Sequence, residues 1–231
     1  MFGLADPNKI NLSLPQMIGA TENLLFVKWG RFLEEKKGFT PRTDGTPRYL
    51  GDENSLFVRY KSSYENKLRF GFTLENDAGE EFMKSPKNAG FDFLTFHTYL
   101  KDYSTLLRDI AIGDYTISLG QGLIAHNSFG AGKSAYVTNI KRGGRVVKPF
   151  NSVNENGYLR GGAVTIRPHK KLEVTLFGSD INLDGNPTDT LGVGETQEIR
   201  FSSLQTSGNH RTQSEIDDKR TIGVVTTGGV I

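Results

Sequence analysis

Alternation with a period of two runs through most of the chain. Over residues 68–75 the apolar Leu68, Phe70, Phe72 and Leu74 fall on one side of an extended backbone, and Arg69, Gly71, Thr73 and Glu75 fall on the other. Residues 56–61 repeat the scheme, with Leu56, Val58 and Tyr60 set against Arg59 and Lys61, and a polar corner at 64–67 joins the two arms into a predicted hairpin. A second predicted hairpin runs out over 158–167, turns at 168–171 and returns over 172–177, where Leu172, Val174 and Leu176 alternate with Glu173 and Thr175. Segments 91–100 and 106–119 add two strands around a corner near Ser104, and 23–33 and 221–231 add one at each end.

The connections fall into two classes. Those near Glu65, Ser104 and His169 are short, whereas 76–90, 126–156 and 180–220 are long and polar. Short turns on one side and long loops on the other fit a transmembrane β-barrel, and a soluble lipocalin-like barrel or sandwich yields the same alternation. The alternation therefore predicts an all-β antiparallel fold of about eight or more strands. Residues 1–22 read as an extension or the end of a preceding segment, and 23–231 as one β-barrel segment. Alternation still running at Val230-Ile231 predicts a partial barrel.

Composition agrees with many strands and turns. The 231 residues include 27 Gly, 15 Phe and 8 Tyr, which suit turn corners and pleated surfaces. With 28 basic and 26 acidic residues dispersed along the chain, no nucleic-acid partner is implied, and the lack of Cys excludes disulfides and thiolate metal sites. Mean hydropathy is -0.41 and no long apolar run is present, so a spanning helix is excluded. A barrel strand escapes that test, since only every second residue need be apolar. Residues 1–10 lack the apolar core of a secretory signal, so export would require a leader upstream.

A series of short phrases then points to a family. Arg59-Tyr60, Leu74-Glu75-Asn76-Asp77-Ala78-Gly79-Glu80, Gly90-Phe91-Asp92-Phe93 and Gly113-Asp114-Tyr115 are followed by Gly120-Gln121-Gly122-Leu123, Gly132-Lys133-Ser134, Asn151-Ser152 and Arg160-Gly161-Gly162-Ala163. In order and rough spacing over 51–179 they resemble Bacteroidota outer-membrane proteins described as helix-hairpin-helix-domain-containing, in which small modules precede a β-barrel. The resemblance covers the barrel part alone; no helix-hairpin-helix module is present here, so no DNA-related role carries over. It implies location in the bacterial outer membrane, with membrane lipid as partner. It leaves the detailed role undefined; from a membrane barrel as such, the function expected is a passive, porin-like transport channel or a membrane-spanning structural component. The alternatives are a scaffold or accessory subunit of a secretion, assembly or DNA-uptake machine, and a soluble ligand-binding β-domain.

Candidate chemistry is sparse. Residues 129–134 end like a phosphate-binding loop, but Asn127 stands where its first glycine belongs, and no buried strand and following helix frame it. Asp180, Asn182 and Asp184 precede Gly185 as in a calcium loop, with Leu191 in place of the closing acid. His97, His126, His169 and His210 are widely separated and belong to no close-spaced ligand motif. No nucleophile elbow exists and adjacent acids such as Glu80-Glu81 diverge in extended chain, so no enzyme and no cofactor is expected. Arg59, Lys61, Arg69, Glu75 and Glu173 are the candidate lumen-facing residues. Tyr60, Tyr64, Phe70, Phe72, Tyr115 and Tyr158 are candidates for interfacial aromatic girdles.

Overall fold

Alternating segments joined by short turns pair first with their sequence neighbours, because little chain entropy is lost in closing so small a loop. The computed structural model describes residues 13–83, 90–122, 124–126, 145–191 and 198–231. The strands are β1 (Glu22–Arg31), β2 (Asn54–Tyr64), β3 (Leu68–Asn76), β4 (Phe93–Lys101), β5 (Leu107–Leu119), β6 (Ala125–His126), β7 (Val147–Pro149), β8 (Leu159–His169), β9 (Leu172–Leu183), β10 (Gly185–Leu191), β11 (Glu198–Leu204) and β12 (Ile222–Val230). Eight of them form an antiparallel meander, β1-β2-β3-β4-β5-β8-β9-β12, with β6 and β7 both paired to β5, while β10 and β11 make a separate hairpin. The sheet is open: β1 pairs only with β2, and β12 only with β9.

Turns at 65–67, 102–106 and 170–171 gather at one end of the sheet, and the connections 32–53, 77–92, 120–158 and 184–221 gather at the other. The tight corners need a left-handed residue, which Glu65 (φ 45°) and Asp102 (φ 49°) supply. Two stretches carry more structure than their composition suggests. β9 continues past Ser179 to Leu183 because β12 lies beside it, pairing Asn182 with Gly223 and Leu183 with Ile222. The remaining long connection contains β10, β11 and the helix α2 (Gln213–Asp217), and the N-terminal stretch contains α1 (Leu14–Gly19). The phosphate-loop-like residues 129–134 lie outside the described residues.

The two faces of the sheet are inverted relative to a water-soluble layer. Cross-strand register aligns Arg59 with Thr73 and Thr73 with Thr95 on one face, and Thr165 with Thr175 farther along the sheet, where their hydroxyls lie 2.9 Å apart. These four threonines are at most 2% exposed. The opposite face presents Leu56, Val58, Tyr60, Phe70, Phe72, Leu74, Phe96 and Ile112, and from β2 to β4 it carries no charged residue. On that face Ile112, Leu176 and Val225 are 57%, 55% and 73% exposed. Near the short turns, Met17 of α1 covers Leu68 and Leu100.

The polar face also holds large buried side chains. Tyr115 is fully buried there with Tyr99, Ala111, Ile117, Val147 and Ala163, and its hydroxyl donates to the Gly178 carbonyl at 2.7 Å. Tyr158 stacks on Phe150 in a second cluster with Phe93 and Ile181. Tyr115 and Tyr158 are thus interior residues and not members of an interfacial girdle; alternation is disturbed near both, by Gly113 in one case and by the loop before β8 in the other. Tyr60, Tyr64, Phe70 and Phe72 remain on the apolar face.

One clamp ties three strands together. Gly113 has φ 91°, and a side chain there would strike the Phe96 carbonyl, so only glycine fits. The β4–β5 ladder ends at this residue. Asp114 takes over: its Oδ2 accepts the Phe96 N–H at 2.8 Å, and both carboxylate oxygens receive the Arg160 guanidinium at 2.7 and 2.9 Å. Arg160 also donates to the Leu94 carbonyl at 2.7 Å, which links β8 to β4 across β5. Asp114→Ala leaves this guanidinium and the Phe96 N–H without their acceptor, and a loss of about 3 to 5 kcal/mol of unfolding free energy is expected in denaturant titration.

Candidate functional site

The long connections meet over one end of the sheet through backbone hydrogen bonds. Leu50 N–H reaches the Arg211 carbonyl at 2.8 Å, Gly51 N–H the Gly79 carbonyl at 3.0 Å, and Gln205 N–H the Asp184 carbonyl at 3.0 Å. At the centre of this cap lies His210. It is placed by the start of α2, where Glu215 accepts the N–H groups of Arg211 and Thr212 at 2.9 Å and Thr212 caps the helix in return. Its own N–H donates to Glu80 Oε1 at 3.0 Å.

Both imidazole nitrogens are engaged by carboxylates. Nδ1 lies 2.6 Å from Asp92 Oδ2, and Nε2 lies 2.9 Å from Asp184 Oδ2. Asp92, just ahead of β4, also receives Lys219 Nζ at 2.5 Å, and Asp184, just beyond β9, receives the Arg220 N–H at 2.7 Å. Glu80 accepts the Asp77 N–H through its second oxygen at 2.7 Å. A cavity of about 30 Å³ beside the cluster is bordered by Asp92, Glu155 and Asp184.

The electrostatics follow from burial among unlike charges. Burial opposes the His210 cation, but the bonds to Asp184 and Asp92 outweigh it and lift its pKa to about 9. Burial would raise Asp92 and Asp184, yet the His210 bond holds both below the usual carboxylate value. Burial and then the Asp92 charge push Glu80 up to about 7 and Glu155 up to about 8. At neutral pH His210 is therefore a cation held between the ionised Asp92 and Asp184, with Lys219 against Asp92 and Glu80 about half-ionised.

Glu80, Asp92 and His210, and likewise Glu155, Asp184 and His210, are close enough to share a metal ion. With both ring nitrogens donating to carboxylates, the imidazolium itself occupies the centre that a divalent cation would take. The arrangement acts as a latch between loops that are far apart in sequence.

Of the residues singled out in the sequence, Asp180 and Asn182 are exposed positions of β9, while Asp184 belongs to the latch. Arg59, Lys61, Arg69 and Glu75 share the polar face of the β2–β3 hairpin, and Glu173 lies on β9 in an ion pair with Arg167. The latch itself was not legible in sequence. His210 is 118 residues from Asp92 and 130 from Glu80, and no local motif joins them. Comparison of the chain with protein-family models, with curated proteins and with solved structures finds no match.

The latch has a defined pH dependence. A histidine held at about 9 against an ordinary 6.5 contributes stability that is complete below 6.5 and lost as pH rises through 9. Glu80 and Glu155, raised from 4.5, lower stability over the window from 4.5 to their folded values of about 7 and 8. Asp92 and Asp184, being depressed, lose their contribution only in acid below their ordinary 3.8. Hydrogen exchange of the loop amides should be slowest in mild acid and accelerate between pH 7 and 9 beyond the intrinsic rate. His210→Gln should cost the cap about 1.5 to 3 kcal/mol at pH 6 and flatten the alkaline part of the profile.

Proposed function

We propose that this chain forms the wall of a bacterial outer-membrane β-barrel, acting as a passive channel or a membrane-spanning structural component. The observation that carries the reading is the inverted sheet: the buried face holds threonine and charge beside its apolar clusters, whereas Ile112, Leu176 and Val225 are exposed on the other. In water such a face would expose apolar surface at a cost of roughly 25 cal/mol per Å². Against lipid the same face is the stable one, and the polar face lines the interior. The placement of every short turn at one end and every long connection at the other adds support, as does the resemblance to the Bacteroidota barrels. The short turns would face the periplasm, and the latch would then fasten the outer loops.

The reading makes one structural demand. Unpaired backbone groups cannot be left in hydrocarbon, so the free edges of β1 and β12 must pair, with each other or with further strands. β1 carries Leu24, Leu25, Phe26, Val27 and Trp29 in exposed positions, and an edge of that composition would aggregate if left open in water.

A pair of substitutions separates a lipid-facing sheet from a water-facing one. Ile112→Arg and Leu176→Arg each replace an exposed apolar side chain. In a membrane barrel each should cost about 2 to 4 kcal/mol when unfolding is followed in lipid vesicles. In a soluble β-domain each would change stability by only about 0.5 kcal/mol. A monodisperse preparation in detergent-free buffer would overturn the reading directly.

A further inference from the structure

The polar face is not uniformly neutralised. Around β5, β8 and β9 each described arginine has its carboxylate: Arg145 binds Asp109 at 2.5 Å and also Asp102, Arg108 pairs with Asp102, and Arg167 pairs with Glu173. The β2–β3 hairpin is different. Arg59 Nε donates to Thr73 Oγ1 at 3.1 Å and its guanidinium lies 4.8 Å from the Phe57 ring, while Arg69 donates to Asn66 Oδ1 at 2.6 Å. Among the described residues Lys61 has no hydrogen-bond or ion-pair partner, and neither arginine has a carboxylate partner.

Register explains why these three cations converge. Lys61 is the cross-strand partner of Gly71, with Arg59 two positions before it on β2 and Arg69 two positions before Gly71 on β3, all on one face. Gly71 offers no side chain, since a Cβ there would run into the Tyr60 carbonyl, and its partner on β4 is the buried His97. Counting the same face of β1 to β3, four basic residues (Lys28, Arg59, Lys61, Arg69) meet two acidic ones (Glu22, Glu75). Neither acid is within ion-pair distance of the three, although Glu75 attracts Arg59 at longer range.

An approach exists from the short-turn end. An opening of about 1130 Å³ lies between the three short turns, with Lys101 and Lys170 on its rim beside the paired Arg108 and Arg167. Lys101 sits two residues beyond Tyr99, the register partner of Arg69, so the basic rim continues into the basic face.

We propose that the polar face of the β2–β3 hairpin is a binding station for a small free oxyanion, a phosphate or polycarboxylate, with Lys61 at its centre and Arg59 and Arg69 flanking it. Guanidinium groups engage such oxygens in paired, charge-assisted hydrogen bonds, and an ammonium supplies a point charge between them. The bound anion relieves the mutual repulsion of the three cations. In a passive barrel it would make the interior anion-preferring. The inference rests on reading this face as the interior of the wall.

The test is calorimetric titration of the full chain in zwitterionic detergent at low ionic strength, with inorganic phosphate and then pyrophosphate. Saturable binding of one pyrophosphate per chain is expected, more than tenfold weaker in Lys61→Gln, retained in Lys61→Arg and lost in the Arg59→Gln/Lys61→Gln/Arg69→Gln variant. Circular dichroism identifies any variant that fails to fold, and Lys61→Arg keeps the result interpretable in that event. No saturation by the wild type at millimolar anion, or equal binding by Lys61→Gln, overturns the site. Abolition of the titration by phosphatidylglycerol in the micelles would assign the cations to a lipid headgroup and equally overturn it. Phosphate binding by a detergent-free, monodisperse protein would leave the site standing and sink the membrane reading, whereas insertion into vesicles without anion binding does the reverse.

Discussion

Backbone pairing in an antiparallel meander is the constraint on which everything else in this protein depends. Once each strand is hydrogen-bonded to its neighbour, side chains are committed alternately to two faces, and a slip of one residue would exchange them. Here that commitment puts buried threonines and most of the charge on one face, together with the apolar clusters around Tyr115 and Tyr158, and leaves Ile112, Leu176 and Val225 exposed on the other. Burial falls on the polar side, as Thr73 and Thr95 illustrate against Ile112.

The buried polar face is held by specific satisfaction of its groups and not by apolar contact alone. Thr165 and Thr175 share a hydroxyl hydrogen bond, Tyr115 reaches a strand backbone, and Asp114 replaces ladder bonds where Gly113 ends the β4–β5 pairing. Breaking any one partner would strand another in a region of low dielectric, which makes these networks stringent in geometry. Against that background the unneutralised cations of the β2–β3 hairpin stand out, because the arginines elsewhere on the face have found carboxylates.

The loop end obeys the same rule with different means. Its segments have no ladder to order them, and they are joined through a buried imidazolium between two carboxylates, with Lys219 balancing the remaining charge. The connections 77–92 and 184–221 are thereby joined near the ends of β3, β4 and β9. The strength of that anchor depends on protonation, whereas the ladder below it does not.

The amino-acid sequence by itself determined the strands, their turns and which residues share a face, since period-two alternation is local and is read directly from residues such as 68–75. It also marked Arg59, Lys61, Arg69 and Glu75 as one polar face, because a hairpin register follows from its turn. Tertiary structure alone decided that Tyr115 and Tyr158 are interior, that β9 runs on to Leu183 beside β12, and that the Asp180–Asp184 stretch contributes to a latch. It alone joined His210 to Glu80, Asp92 and Asp184. The physical reason is range: alternation records each residue's immediate neighbours, whereas the latch and the edge pairings depend on groups brought together only when distant strands have taken their places in the sheet.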